Sequence, residues 1–214
     1  MAAFLGNQGL LATERSMLYA AFPAVAALDL EAVVRVLPTG REVSTPTGKS
    51  YPVGSLLSAD AEEVALEGLS IRIPGRVYFD EPTADAEDSL TGRQQLLLQC
   101  IYLRHHNGYV RQRRLEQLFA APAESFTVPF TFSLIGDYVK EILEVVEGAL
   151  QPALLDSYVE FIRGNPKYWQ RTQGRVASYW DVYYRWRGVP QFRHYVGARL
   201  LSKLQQACRL AGVS

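Results

Sequence analysis

The stretch Tyr102 to Arg114, YLRHHNGYVRQRR, gathers two of the three histidines in the chain and four of its arginines around an Asn-Gly pair. Three chemistries fit such a set: a metal site, a grip on phosphate or nucleic acid, and a corner between two helices. Adjacent His105 and His106 diverge by about 100° on a helix and share no face. A metal site also wants carboxylate or thiolate partners, and the flanking arginines repel a cation. Histidine and arginine at a helix C-terminus instead favour the negative end of the dipole and bond to the last carbonyls. Asn107 and Gly108 then read as a left-handed turn. No metal and no cofactor are expected.

Arg111, Arg113 and Arg114 lie close to the start of the next helix, where the dipole disfavours cations. They call for a counter-charge. Asp137, Glu141 and Glu144, at i, i+4 and i+7, offer one inside the chain. Phosphate or an acidic protein offers one outside it. Farther on, Trp169, Val176, Trp180 and Tyr183 share a helical face read as core, and Arg171, Arg175, Ser178 and Arg185 share another. Interleaved arginines and aromatic rings suit stacking on single-stranded nucleic acid. They equally suit a bundle in which Arg lies over Tyr and Trp. The candidate binding surface is therefore Arg104, His105, His106, Arg111, Arg113, Arg114, Arg171, Arg175 and Arg185. The whole-chain pI of 6.8 lacks the basic footprint of most nucleic-acid binders.

Other motifs carry less. PTGKSYPVG has Val43 where a phosphate-binding loop needs glycine, and reads as a hairpin turn. There is no G-x-S-x-G and no H-E-x-x-H, and Cys100 and Cys208 sit in apolar helical contexts. The acidic run 80–89 lacks the glycine and final glutamate of a calcium loop. No catalytic residue is assigned. An enzyme with its site between a β element and the helices stays open as one reading.

The elements that must hold these residues follow from periodicity. A helical stripe runs over 10–22 until Pro23, and a second helix from Asp29, as N-cap, to Leu37. EVSTPTGKSYPV reads as two extended runs around a Pro-Thr-Gly turn. Leu69, Ile71 and Ile73 alternate with Ser70 and Arg72, which is strand period, and Pro74-Gly75 turns the chain into RVYF. Residues 39–79 are thus a small antiparallel β element. DEPTADAEDS, 80–89, has five carboxylates and no large apolar side chain, and reads as a solvated linker. Helices are then expected over 92–104, 109–119, 129–149, 152–163, from Pro166 into the RW at 185–186, and 190–211. The third carries Phe132, Ile135, Val139, Ile142 and Val146 as a buried stripe. Gly164 stops the fourth, and Asn165-Pro166 caps the fifth.

The fold class is therefore mainly α: an array or bundle of about six C-terminal helices with a small N-terminal antiparallel β element. Residues 1–90 form the acidic N-terminal part and 91–214 the basic helical domain. The first holds 6 Lys and Arg against 13 Asp and Glu, the second 16 against 9, so a formal net charge of zero hides a −7/+7 split. Either the two parts neutralise each other or the basic part has an outside partner. An apolar fraction of 48% with 21% charged residues excludes widespread disorder. Two cysteines make no disulfide framework and fit a reducing compartment. The apolar N-terminus lacks a basic leader, Glu14-Arg15 interrupts it, and no uncharged stretch approaches the ~20 residues of a membrane span. A soluble, cytoplasmic protein is expected.

The stretch 95–119, containing LLLQCIYLRHHNGYVRQRRLEQL at 96–118, resembles a HEAT or armadillo-type repeat: an apolar helix, a polar corner, and a second helix opening with Val110-Arg111. Leu118 fits the pattern; Arg114 stands where the family has a small residue. The resemblance implies a stacked helical interaction module. The expected function is a non-catalytic protein-interaction or scaffold module, its partner a protein of acidic character. The alternative is nucleic-acid binding through the Arg/aromatic surface of residues 104–187.

Overall fold

The computed structural model describes residues 9–40, 42–44, 49–52 and 54–213. The expected Pro46-Thr47-Gly48 turn and the start of the apolar N-terminus lie outside the described residues. Among the described residues there are ten α-helices and two antiparallel strand pairs. The chain is mainly helical, with its small β element near the N-terminus.

Helices α1 (Ala12–Tyr19) and α2 (Ala27–Val36) come first. Asp29, expected as the N-cap of α2, lies inside its first turn because a 3₁₀ turn at Ala24–Ala26 starts the helix earlier. Strands β1 (Glu42–Ser44) and β2 (Ser50–Pro52) pair with Val43 opposite Tyr51. Strands β3 (Ala61–Leu66) and β4 (Leu69–Pro74) form a hairpin with Val64 opposite Ile71. Its two-residue turn holds Glu67 at φ 50° and Gly68 at φ 80°, the positive-φ pair that matches strand twist. Val64, Leu66, Ile71 and Ile73 face the core, whereas Leu69, at the turn, is exposed.

Helix α3 (Ala84–Asp88) sits inside the acidic run read as a linker, with Thr83 capping it by accepting from the Ala86 amide. The run is short of apolar groups because it is held by charge. Helix α4 (Gly92–Tyr102) opens with a capping box between Thr91 and Gln94. Helix α5 (Gly108–Ala120) is capped by Asn107, whose Oδ1 accepts from the Tyr109 amide at 3.0 Å. Neither Asn107 nor Gly108 is left-handed, so the expected turn is instead an N-cap.

The expected helix 129–149 is two: α6 (Val128–Ser133) and α7 (Lys140–Ala149). A 3₁₀ turn at Leu134–Gly136 and extended Asp137 separate them. Asp137 accepts from the Val139 amide, which fixes the break. The apolar period ran through it because both pieces face one core. Helices α8 (Pro152–Gly164), α9 (Pro166–Tyr179) and α10 (Val196–Leu210) complete the array. Helix α9 gives way to a π turn at Trp180–Tyr184, with the Arg185 amide bonded to the Trp180 carbonyl.

The buried apolar side chains form one connected cluster from Leu18 to Cys208, drawn from both the acidic and the basic part. Helix α4 packs on α2 and α5, α5 on α7, and α10 on α7 and α8. The hairpin is fastened by its β3 edge, where Asn165 Oδ1 accepts from Ala65 N at 2.7 Å and Nδ2 donates to the Ala65 carbonyl at 2.9 Å. Asn165 therefore does not cap α9 with its side chain. No single helix among the described residues is long and apolar enough to cross a membrane.

Candidate functional site

The nine residues expected to form one surface fall into two groups with opposite fates. The α4–α5 corner is mostly internal. Val77 lies between Leu57 and His105 in two single-residue β-bridges: its amide donates to the Arg104 carbonyl and its carbonyl accepts from the His106 amide. His105 is buried, and its Nε2 lies 2.7 Å from the Phe79 carbonyl. Burial, and then the neighbouring His106, lowers its pKa to about 4. The ring is neutral at pH 7, so Nε2–H donates to Phe79 and Nδ1 accepts from the Asn107 amide at 3.1 Å. His106 stacks on Tyr78, and its pKa too is lowered by burial.

Arg104 caps the end of β4. It donates to the carbonyls of Pro74 and Gly75 at 2.9 and 2.6 Å and to Ser133 Oγ at 2.9 Å. Burial and then Arg76 lower its pKa to about 10, which leaves it charged at pH 7. Arg111 is 0% exposed. It donates to the carbonyls of His105 and His106 and to Asp137 Oδ1, and its Nε makes an ion-pair contact of 3.0 Å with Oδ2 rather than a directed hydrogen bond. Arg114, 3% exposed, lies over the Tyr102 ring and pairs with Glu81 and Glu87. Burial opposes its charge, but Glu87 and Glu81 outweigh this and raise its pKa. Arg113 is exposed and pairs with Glu81.

The counter-charge is thus internal, but only Asp137 of the three expected acids supplies it. Glu144 pairs with Lys140 instead, and the other partners, Glu81 and Glu87, come from the run read as a linker. Their signal was the −7/+7 split, since Arg113 and Arg114 join the basic part to the acidic part. Arg175 does the same through Glu62, whose pKa is lowered because Arg175 outweighs the cost of burial. The Arg175–Glu62 pair and the Asn165 clamp tie the hairpin to the helices.

What remains outside is the end of α9. Arg171 is exposed over the Tyr168 ring, and Arg185 is exposed with its guanidinium carbon 4.9 Å from the Trp186 ring centre and 5.4 Å from that of Trp180. Tyr183, expected in the core, is 41% exposed. The π turn holds one extra residue, so Tyr184 takes the inward position and stacks on Tyr195 at 4.9 Å. Tyr183 turns out to join Tyr138 and Tyr179, with ring centres 5.7 to 6.0 Å apart. Val182 is 64% and Trp186 81% exposed. Sequence periodicity missed this ridge because it assumed 3.6 residues per turn throughout.

Among the described residues, no group of three or more His, Cys, Asp or Glu is placed to hold a metal ion. Comparison of the chain with protein-family models, with curated proteins and with solved structures finds no match.

Proposed function

We propose that the protein is a non-catalytic interaction or scaffold module that captures a protein partner through the aromatic ridge at the end of α9. The observation that carries this reading is the run Tyr179, Val182, Tyr183, Trp186. Tyr179 closes α9, Val182 and Tyr183 lie in the π turn and Trp186 in the turn after it, and the last three are 64%, 41% and 81% exposed. Trp, Tyr and Arg are the residues that dominate binding energy. Arg185, paired with Asp181, and the exposed Arg187 lie within this segment, which favours an acidic partner surface. In this reading the α4–α5 pair, whose sequence resembles a HEAT or armadillo repeat, is the rigid unit on which α7 and the ridge are mounted. The buried free thiols of Cys100 and Cys208 support a reducing, cytoplasmic setting.

A photo-cross-linking amino acid at Val182 tests it in cells. The expected result is a discrete protein adduct that disappears in Tyr183→Ala/Trp186→Ala while the melting temperature is unchanged. No adduct, or one indifferent to the ridge, counts against the reading. The second reading is single-stranded nucleic acid, favoured by Arg185 lying against two indole rings. Low-salt binding of an oligothymidylate that Trp186→Ala removes replaces the protein reading with this one.

A further inference from the structure

Three open clefts of about 540, 500 and 570 Å³ adjoin one another along the loop Ala121–Val128. The first shares Ala121 and Glu124 with the second, and the second shares Ser125, Val128 and Ser157 with the third. They make one trough that starts beside α3 and α4 and ends at the Glu67–Gly68 turn. Its middle is walled by Leu118 and Phe119 of α5, Val128 of α6 and Leu154 of α8. Its ends are acidic: Glu87, Asp88 and Glu124 at one, Glu67 and Glu160 at the other. Arg93 pairs with Asp29 and Glu124, Arg163 with Glu160, and Arg114 with Glu87, so the carboxylates without an ion pair among the described residues are Asp88 at one end and Glu67 at the other. None of these residues belongs to the aromatic ridge.

We infer that this trough is a second binding site, and that its ligand is an extended polypeptide segment of a partner, with basic residues flanking an apolar centre. A compact ligand fills one cleft; only an extended chain reaches all three. The acidic ends select Lys and Arg, whose aliphatic stems lie along the apolar wall while their heads reach the carboxylates. Asp88 and Glu67 have no ion-pair partner among the described residues, so the complementarity points outside the molecule. With the ridge, the molecule then offers two faces of opposite preference, one for an acidic partner and one for a basic segment.

The test uses a labelled twelve-residue peptide with two arginines at each end and alternating Leu and Ser between them, read by fluorescence anisotropy with the full chain. Binding that falls with salt is expected, with none for the version carrying glutamates at its ends. Glu67→Lys/Asp88→Lys reverses two exposed charges and should weaken binding by about tenfold or more. Ala153→Trp, which fills the middle, should weaken it independently of salt. Failure of the basic peptide to bind, equal binding of the acidic version, or indifference to both variants overturns the proposal. Tyr183→Ala/Trp186→Ala should leave peptide binding intact, so the trough and the ridge stand or fall separately.

Discussion

Arg111 and Asp137 are sealed together beneath the α4–α5 corner, their side chains 0% and 2% exposed. Arg111 also holds the His105 and His106 carbonyls, and Asp137 also holds the Val139 amide, so the pair joins the corner to the break before α7. Removing Asp137 strands the buried Arg111 charge, and removing Arg111 leaves Asp137 with Arg76 at 3.8 Å as its remaining cation. Asp137→Ala should cost about 3–5 kcal/mol. Arg111→Met should cost a similar amount. The double variant should lose clearly less than the two single losses together, by about 1–3 kcal/mol of coupling. Urea unfolding of the four proteins measures this, and additive losses would mean the pair is not coupled.

His105 makes stability depend on pH. Its unfolded pKa is about 6.5, and burial holds the folded value at about 4. The fold therefore prefers the neutral ring. Its contribution is full above the unfolded pKa and is lost as pH falls from about 6.5 through 4. The ceiling on that loss is about 3 kcal/mol. His105→Gln keeps an N–H donor for the Phe79 carbonyl without a titrating group. The urea midpoint of the wild type should fall between pH 6.5 and 4, and that of the variant should stay flatter. Parallel curves would show that another group titrates there.

Much of this could be read before the fold was known, and the exceptions share a cause. Ile71 and Ile73 placed β4, and the stripe Ile142–Val146 placed α7, because each buries one face at a regular period. Periodicity is blind where a polar side chain changes the backbone. Asp137 breaks the expected 129–149 helix by bonding the Val139 amide, yet the apolar period continues across it. The π turn at Trp180–Tyr184 shifts the period by one, which moves Tyr183 from core to surface. Glu81 and Glu87 looked like linker because composition alone cannot distinguish a solvated carboxylate from one paired with Arg114.

Two glycines with equally close neighbours should respond differently to alanine. A Cβ at Gly75 meets the Asp60 carboxylate, the end of a flexible side chain that can swing away. A Cβ at Gly197 meets Tyr195 at 2.7 Å and Val176 at 2.8 Å, both buried between α9 and α10. Gly75→Ala should change stability by less than about 1 kcal/mol. Gly197→Ala should cost about 1–3 kcal/mol through overpacking. Thermal unfolding ranks them, and the reverse order would contradict the close approach of α10 to α9.

Asn165 offers the sharpest test of how the hairpin is held. Its amide nitrogen donates to the carbonyls of Ala65 and Phe161, and its oxygen accepts from the Ala65 amide. Asn165→Ala removes these bonds and adds no charge, a loss of about 1–3 kcal/mol. Asn165→Asp has nearly the same shape but turns a carboxylate oxygen toward two carbonyls, so at pH 7 it should be the more damaging change. The introduced carboxyl has its pKa raised by this setting, because its protonated form regains a donor. Its penalty is then fully present above the raised pKa and vanishes below the unfolded value of about 3.9. The Asp variant should therefore be less stable than the Ala variant at pH 7 and approach or overtake it near pH 4. A constant gap between the two across that range would mean that the side chain does not donate to Ala65 and Phe161 as placed.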